Sequence, residues 1–249
     1  MTRAAVLRWA LPAAFLFLIF LVSTLPARHV LGWLGGAQLA VQDVEGTPWR
    51  GRLQRLAFER TQFGPVVWQL RLPPLLTGRL EYQLFVQSGR GGGELRAGRA
   101  LFGAPYIHDA QLSLSAAEVA RQLRLTLVGL GGDFLVDVDT LRLTGAWPSA
   151  LRGELRWQDA LLLSPQPLGL GNLHMQLDLR EGQVVGSLGD AGGPLELAGE
   201  FILAPDRSYR LDALLQARAG AAAPLREALS LLGKPDAQGR YRLRYSGTL

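Results

Sequence analysis

Residues 80–87 read Leu-Glu-Tyr-Gln-Leu-Phe-Val-Gln, and this stretch decides the fold class of the chain. Its even positions are apolar and its odd positions mostly polar, a period of two that is typical of a strand with one buried face. The same alternation recurs at 68–72, 123–127, 141–143, 155–157, 173–179 and 241–245. Turn signals lie between these runs, at 89–93, 131–133, 192–194, 205–206 and 239. We therefore predict a mainly β protein whose antiparallel sheet is covered on one face only.

Two segments depart from the period of two and predict short helices. Residues 115–118, Ser-Ala-Ala-Glu, spell a capping box, so a helix is expected through about Leu123. Residues 221–232 place Pro224 in a first helical turn and leucines on one face, and Gly233 follows as a stop signal. We expect both helices to cap the apolar face of the sheet.

The chain resembles itself when it is aligned at a shift of about 101–108 residues. Strand patterns, glycines and the short helix recur in the same order, which predicts two tandem repeats at 44–147 and 149–249. The join at Trp147-Pro148-Ser149 is short and apolar. It favours one continuous, elongated and curved antiparallel sheet over two independent domains.

Residues 9–27 contain no charged side chain and predict a transmembrane helix. At about 1.5 Å per residue the run reaches roughly 28 Å, close to the hydrocarbon thickness of a bilayer. Arg3 and Arg8 favour a cytoplasmic N-terminus with the remaining chain exported. A cleaved signal peptide is the alternative, although 23–27 offers no Ala-x-Ala spacing. We predict 1–28 as cytoplasmic stub and anchor, 29–43 as a juxtamembrane segment and 44–249 as one body.

Composition excludes several classes of function. The chain has no cysteine, so disulfide scaffolds and thiol chemistry do not apply. Its formal net charge is +5, and the arginines are dispersed among leucines rather than clustered with aromatic residues. A nucleic-acid surface requires such a cluster, so we predict no nucleic-acid partner.

Residue types that support catalysis or metal binding occur without the necessary spacing. None of the three histidines, His29, His108 and His174, lies in a nucleophile motif or a zinc pair, although His108-Asp109 could orient an imidazole. Strand-forming residues interrupt the carboxylates Asp133, Asp137 and Asp139, so they do not match a calcium loop. The glycine run 89–93 lacks Gly-Lys-Ser/Thr and indicates a hairpin turn rather than a phosphate loop. We predict no enzyme activity, no catalytic residue, no metal site and no cofactor.

The segment that opens the predicted body is more specific than its periodicity. Residues 44–51 read Val-Glu-Gly-Thr-Pro-Trp-Arg-Gly, followed by Val-Trp-Gln-Leu at 67–70 and Pro-Leu-Leu-Thr-Gly-Arg-Leu at 74–80. With the helix at 225–232 and the sequence Gly-Lys-Pro-Asp-Ala-Gln-Gly-Arg-Tyr at 233–241, this resembles the type II secretion system protein N family almost end to end. The residues that carry the resemblance, as structural positions, are Gly46, Thr47, Trp49, Gly51, Trp68, Leu76, Gly78, Gly233 and Gly239.

The resemblance implies a single-pass protein of the bacterial inner membrane, with a cytoplasmic N-terminus and a periplasmic body. It further implies an accessory role in exporting folded proteins across the outer membrane of Gram-negative bacteria, through contacts with other type II secretion subunits. The family also looks related to AsmA-like proteins, which implies the alternative of a groove that binds or transfers phospholipid. In either case the contact residues expected on the apolar face are Trp68, Leu70, Tyr82 and Leu84.

Overall fold

The computed structural model describes residues 26–27, 39–58, 61–88, 91–122, 129–164 and 166–248. Most of the predicted anchor at 9–27, all but its last two residues, lies outside the described residues, as do His29 and the predicted strand at 123–127. In the described part of the chain, no helix is both long and apolar enough to cross a membrane.

The body is mainly β, as predicted, and its described strands form one fourteen-stranded antiparallel sheet. Successive strands are neighbours along the order β1-β2-β4-β5 and onward to β14, and β3 pairs with β2 off this path. The predicted join at 147–149 opens β9, so the sheet runs from one proposed repeat into the other without interruption. The strands are β1 (Leu39–Gly46), β2 (Arg50–Phe58), β3 (Thr61–Phe63), β4 (Val66–Leu70), β5 (Arg79–Ser88), β6 (Gly91–Ala100), β7 (Pro105–Ser115), β8 (Leu130–Thr144), β9 (Trp147–Leu162), β10 (Leu168–Arg180), β11 (Gln183–Asp190), β12 (Leu195–Leu203), β13 (Ser208–Ala217) and β14 (Tyr241–Thr248).

Three short helices lie entirely within the described ranges, and Ala27 is also helical. The two predicted helices are observed at α2 (Ala116–Gln122) and α3 (Ala223–Ser230). The third, α1 (Leu72–Leu75), corrects the prediction of one strand over 68–72. Pro73 and Pro74 have no N–H to give to a ladder but suit a first helical turn, so the strand ends at Leu70 and a helical turn follows.

Two of the predicted turns lie partly or wholly inside strands. Gly91 and Gly93 belong to β6, where a Cβ would lie 2.1 Å and 1.9 Å from the carbonyl oxygens of Ser113 and Gln111. The antiparallel pairing of Ser88 with Gly91 agrees with the predicted hairpin, but Gly91 to Gly93 belong to β6 and permit close approach of the β7 backbone. Gly132, with φ of +86°, lies at a register shift within β8, so 131–133 is a bulge rather than a turn.

The register sorts the side chains into two rows, because residues directly opposite each other in an antiparallel pair share a face. One row, called the apolar row, is apolar or glycine at every position. It consists of Val44, Leu53, Val66, Val86, Gly93, Leu112, Val136, Leu155, Met175, Leu188, Gly199, Ala213 and Leu243. The adjacent row on the opposite face, called the polar row, consists of Glu45, Arg52, Val67, Phe85, Glu94, Gln111, Asp137, Glu154, Gln176, Ser187, Glu200, Asp212 and Arg244.

The apolar face is closed near its two ends. Near β1 the first cluster consists of Ala27, Leu53, Val66 and Trp68. Over β9, β10 and β12 the second cluster consists of Ala160, Leu170, Leu195, Ala221, Leu225 and Leu229, so α3 lies across this part of the sheet. The apolar row from Val86 to Gly199 is half-buried at every position.

Candidate functional site

The family-motif residues of the first hairpin are brought together around Trp68. Gly46 and Gly51 are paired, and 47–49 form the turn between them. A Cβ on Gly51 would lie 2.3 Å from Cζ2 of Trp68, so only glycine leaves room for the indole there. The indole N–H donates to the carbonyl oxygen of Thr47 at 3.1 Å. These motif residues therefore provide the space and the hydrogen-bond acceptor for the buried side chain of Trp68.

The other motif residues lie in separate places. Leu76 follows α1 and is 91% exposed. Gly78 closes the same turn at a φ of +69°, which favours glycine. Gly233 and Gly239 lie in the segment between α3 and β14, at the other end of the sheet. The structure therefore divides the motif between two ends of one sheet and does not gather it into one site.

All four residues predicted to contact lipid or a partner lie on the apolar face near β1. Trp68 is opposite Leu84 and Leu70 is opposite Tyr82 across the β4–β5 pair. Trp68 and Leu70 are buried, whereas Tyr82 and Leu84 are half-buried. Burial raises the pKa of the Tyr82 phenol, so its hydroxyl stays neutral across the physiological range.

Ala27 connects this end of the sheet with the predicted anchor. It is the last residue of the uncharged run 9–27, it is 1% exposed, and it packs with Leu53, Val66 and Trp68. The apolar face therefore starts where the predicted anchor ends.

From that point the apolar row extends across thirteen strands. With neighbouring strands about 4.8 Å apart, its length is about 58 Å. The half-buried middle of the row presents aliphatic groups and glycine, which can bind apolar chains but offer no hydrogen bonds. This surface is the candidate functional site.

A buried carboxylate on the opposite face was not predicted from the sequence. Glu81 is only 4% exposed, although the other residues on its face of β5 are exposed or half-buried. Arg71 forms an ion pair with it, the Tyr106 hydroxyl donates to Oε2 at 3.0 Å, and Nε2 of His108 lies 2.9 Å from the same oxygen. Burial acts to raise the pKa of Glu81, but hydrogen bonds from His108, Arg71 and Tyr106 outweigh it and hold the pKa below its usual value.

The same cluster explains the His108-Asp109 pair. Asp109 has a φ of +50° at a register irregularity, so consecutive side chains come together and Nδ1 of His108 lies 3.0 Å from Oδ2 of Asp109. With Glu81 on Nε2, both ring nitrogens are engaged by carboxylates. A cleft of about 540 Å³ borders this imidazole and also contains Arg79 and Arg142. The geometry indicates a structural role for His108 in joining β5 to β7.

A second buried carboxylate lies at the α3 end. The side chain of Asp190 is 8% exposed, and it accepts from the backbone N–H groups of Leu197 and Gly192, each at 3.0 Å. Arg218 lies 2.7 Å from Oδ1. Burial opposes these contacts, but together they hold the pKa of Asp190 below its usual value. This arrangement fixes the 191–194 loop.

The remaining sequence candidates are placed in the strands. His174 is opposite Arg156 and Gly189, on the same face as the polar row. Asp133 and Asp137 lie in β8, opposite Gln158 and Glu154. Among the residues that the structure describes, no group of three or more histidines and carboxylates is placed to hold a metal ion.

The fold and this surface define the class of protein: an open antiparallel sheet with one continuous apolar face. A family model, type II secretion system (T2SS), protein N, matches residues 37–244. The chain belongs to this family, as the sequence resemblance predicted.

Curated relatives agree with the family assignment along nearly the whole chain. The type II secretion system protein N of Vibrio cholerae is 30% identical over 232 residues, which cover 90% of this chain and 91% of that protein. The protein N of Aeromonas hydrophila is 29% identical over 248 residues, covering 95% and 97%. The protein N of Klebsiella pneumoniae is 26% identical, covering 94% and 92%. No solved structure gives a significant match.

Proposed function

We propose that this chain is an accessory component of the type II secretion system that supports export of folded proteins through protein–protein contacts. In this proposal residues 9–27 anchor it in the inner membrane, the N-terminus is cytoplasmic and the sheet lies in the periplasm. Its family membership supports a secretion role.

The protein-contact role is supported by the position of β14, the last strand of the sheet. Within the described strands, β14 ends the sheet order and pairs with β13 alone. The backbone groups on its outer side are available for strand addition by another subunit. Arg242 and Arg244 both form ion pairs with Asp212 on β13, which hold β14 in register, and Tyr245 is 61% exposed.

Photocrosslinking in living cells tests this role. With p-benzoylphenylalanine at Ser246, in β14, we expect adducts with other secretion subunits. The control site is Glu181, an exposed residue of the β10–β11 turn. Equal adduct patterns at the two sites, or no adduct with a secretion subunit, would count against docking at β14.

A lipid groove is the second candidate function, and the apolar row favours it. The row is unbroken from β1 to β14, and its middle is half-buried in the described structure. An acyl chain could lie along such a surface, because aliphatic side chains are removed from water without any polar partner being lost.

Adjacent residues on opposite faces of β9 provide a matched test of this candidate. Leu155 belongs to the apolar row and Glu154 to the polar row. With the same photoreactive residue at each site, in cells labelled with radioactive phosphate, phospholipid adducts are expected at Leu155 only. Adducts with neither residue, or equally with both, would exclude lipid in the groove.

A further inference from the structure

Two neighbouring turns at one edge of the sheet present large apolar side chains to solvent. Leu72, Leu75 and Leu76 in and after α1 are 69%, 40% and 91% exposed. Leu101 and Phe102, in the turn between β6 and β7, are 75% and 104% exposed. The Leu101 N–H donates to the carbonyl oxygen of Gly78 at 3.0 Å, so the two turns are contiguous. We call these five residues the apolar tips.

The apolar tips contribute nothing to the two core clusters. Helix α1 has no buried residue, and no tip residue packs against either cluster. Five exposed leucine and phenylalanine side chains in one patch are unusual for a surface that faces only water. The patch therefore indicates an interaction with an apolar medium or partner.

The net charge around the tips is positive. Residues 71–80 contain Arg71 and Arg79 and no acidic residue, and residues 99–104 contain Arg99 as the sole charged side chain. Arg71 is paired with Glu81, so Arg79 and Arg99 supply the positive charge beside the tips. Arg99 donates from Nε to the carbonyl oxygen of Gly103 at 3.2 Å, which holds its guanidinium at the β6–β7 turn. Apolar side chains next to arginine suit an anionic lipid surface, where the arginines meet phosphate groups.

The tips also lie near the end of the predicted anchor. Ala27 belongs to the same buried cluster as Trp68, and the chain continues from Trp68 through Leu70 directly to Leu72. Four residues of extended chain span about 13 Å. A bilayer that contains the anchor is therefore within reach of these turns.

We propose that the apolar tips insert into the interfacial region of an anionic lipid bilayer, the membrane that holds the predicted anchor. This inference rests on the membrane location given in the proposed function. The anchor and the tips are then two attachments, and together they fix the orientation of the sheet relative to the membrane surface. A single tether would leave that orientation free.

The absence of cysteine from the chain allows a direct test in the full-length protein. Leu76→Cys and Phe102→Cys each receive an environment-sensitive fluorophore after reconstitution into vesicles of phosphatidylethanolamine and phosphatidylglycerol. The matched control is Leu231→Cys, since Leu231 is 86% exposed but follows α3 at the other end of the sheet. All three positions are exposed, so the substitutions leave the core intact.

We expect a blue shift at residues 76 and 102 and quenching of both probes by lipids with a shallow spin label. The Leu231 probe should show water-like emission and little quenching. Replacing phosphatidylglycerol by phosphatidylcholine should weaken the quenching, because the arginines lose anionic partners.

Flotation of the same protein with the vesicles reports the anchor separately. Floating protein whose tip probes are no more quenched than the Leu231 probe would overturn the inference while leaving the membrane location intact. Protein that does not float would instead overturn the membrane location. A blue shift that requires added secretion subunits would mean that the tips bind a protein, and it would likewise overturn insertion into lipid.

Discussion

The two ends of the apolar face are closed by different parts of the chain. At the α3 end, Leu225 and Leu229 come from the segment between β13 and β14, so residues of the body itself cover the sheet there. At the β1 end the cover includes Ala27, which belongs to the predicted membrane anchor. The α3 end is therefore complete within the body, whereas packing at the β1 end is coupled to the segment that precedes the sheet.

The buried carboxylates differ in a parallel way. Glu81, in β5, is held by the side chains of three residues, whereas Asp190, near α3, is held by two backbone N–H groups and one arginine. Side-chain partners come from β7 and from the residue before α1, so Glu81 joins separate elements. Asp190 mainly stabilises the adjacent loop at 191–194.

The largest expected effect is at the β1 end. Trp68→Ala removes a buried indole and its hydrogen bond to Thr47, so it should lower the free energy of unfolding by about 3–5 kcal/mol. Urea unfolding of the full chain, followed by far-UV circular dichroism, measures this change. Leu76→Ala, at a 91% exposed site, should change it by less than about 0.5 kcal/mol. Similar losses for the two variants would contradict the burial of Trp68.

At the α3 end, Leu225→Ala should cost about 2–5 kcal/mol, because it leaves a cavity between α3 and the sheet. The exposed Leu231 provides the control, with less than about 0.5 kcal/mol expected on substitution by alanine.

The double variant Trp68→Ala/Leu225→Ala tests whether the two clusters are energetically independent. The two sites share no cluster, so their effects should add to within about 0.5 kcal/mol. A larger interaction energy would show that the ends are coupled.

A smaller loss is expected at the motif glycine beneath the indole. In Gly51→Ala the new methyl would overlap the Trp68 ring and the Glu45 carbonyl oxygen, which should cost about 1–3 kcal/mol. Gly169→Ala is the matched control, since a Cβ there meets nothing within 4 Å. Tryptophan fluorescence during urea unfolding measures both variants. Equal stability of Gly51→Ala and Gly169→Ala would mean that packing of the Trp68 ring does not require glycine at position 51.

The smallest expected effects concern pH. Glu81→Gln and Asp190→Asn should each cost about 1–2 kcal/mol at neutral pH. Because both folded-state pKa values are lowered, each carboxylate stabilises the fold above its ordinary pKa, and that contribution is lost as pH falls through the folded-state pKa. Each variant should therefore lose less stability than the unsubstituted chain between neutral and acidic pH. Parallel pH profiles, measured by urea unfolding, would contradict this linkage.

Much of the fold was accessible from the sequence, because its signals are local. Alternation of period two predicted the strands, and the capping and proline signals predicted α2 and α3. The extent of the turn at 89–93 was predicted wrongly, because Gly91 and Gly93 belong to β6, where the neighbouring strand β7 requires glycine. The tandem repeats at 44–147 and 149–249 and the four lipid or partner contacts stay predictions.

The buried cluster around Glu81 shows why part of the site was inaccessible. In the sequence Glu81 is one polar position of an alternating strand, and its partners at 71, 106 and 108 lie up to 27 residues away. Only the register of β5, β6 and β7 places them together. Gly98 helps, because a Cβ there would lie 2.7 Å from the hydroxyl of Tyr106.

The sequence alone established a mainly β body, two of its helices and its family, because each depends on residues close together in the chain. The tertiary structure decided which apolar residues form one row across thirteen strands, which are buried and which remain half-buried. Register, helix placement and the packing of Ala27 are long-range contacts, and the free energy that selects them is spread over residues distant in sequence. The apolar tips illustrate the same division: their residues can be read from the sequence, but the hydrogen bond that joins their two turns belongs to the fold.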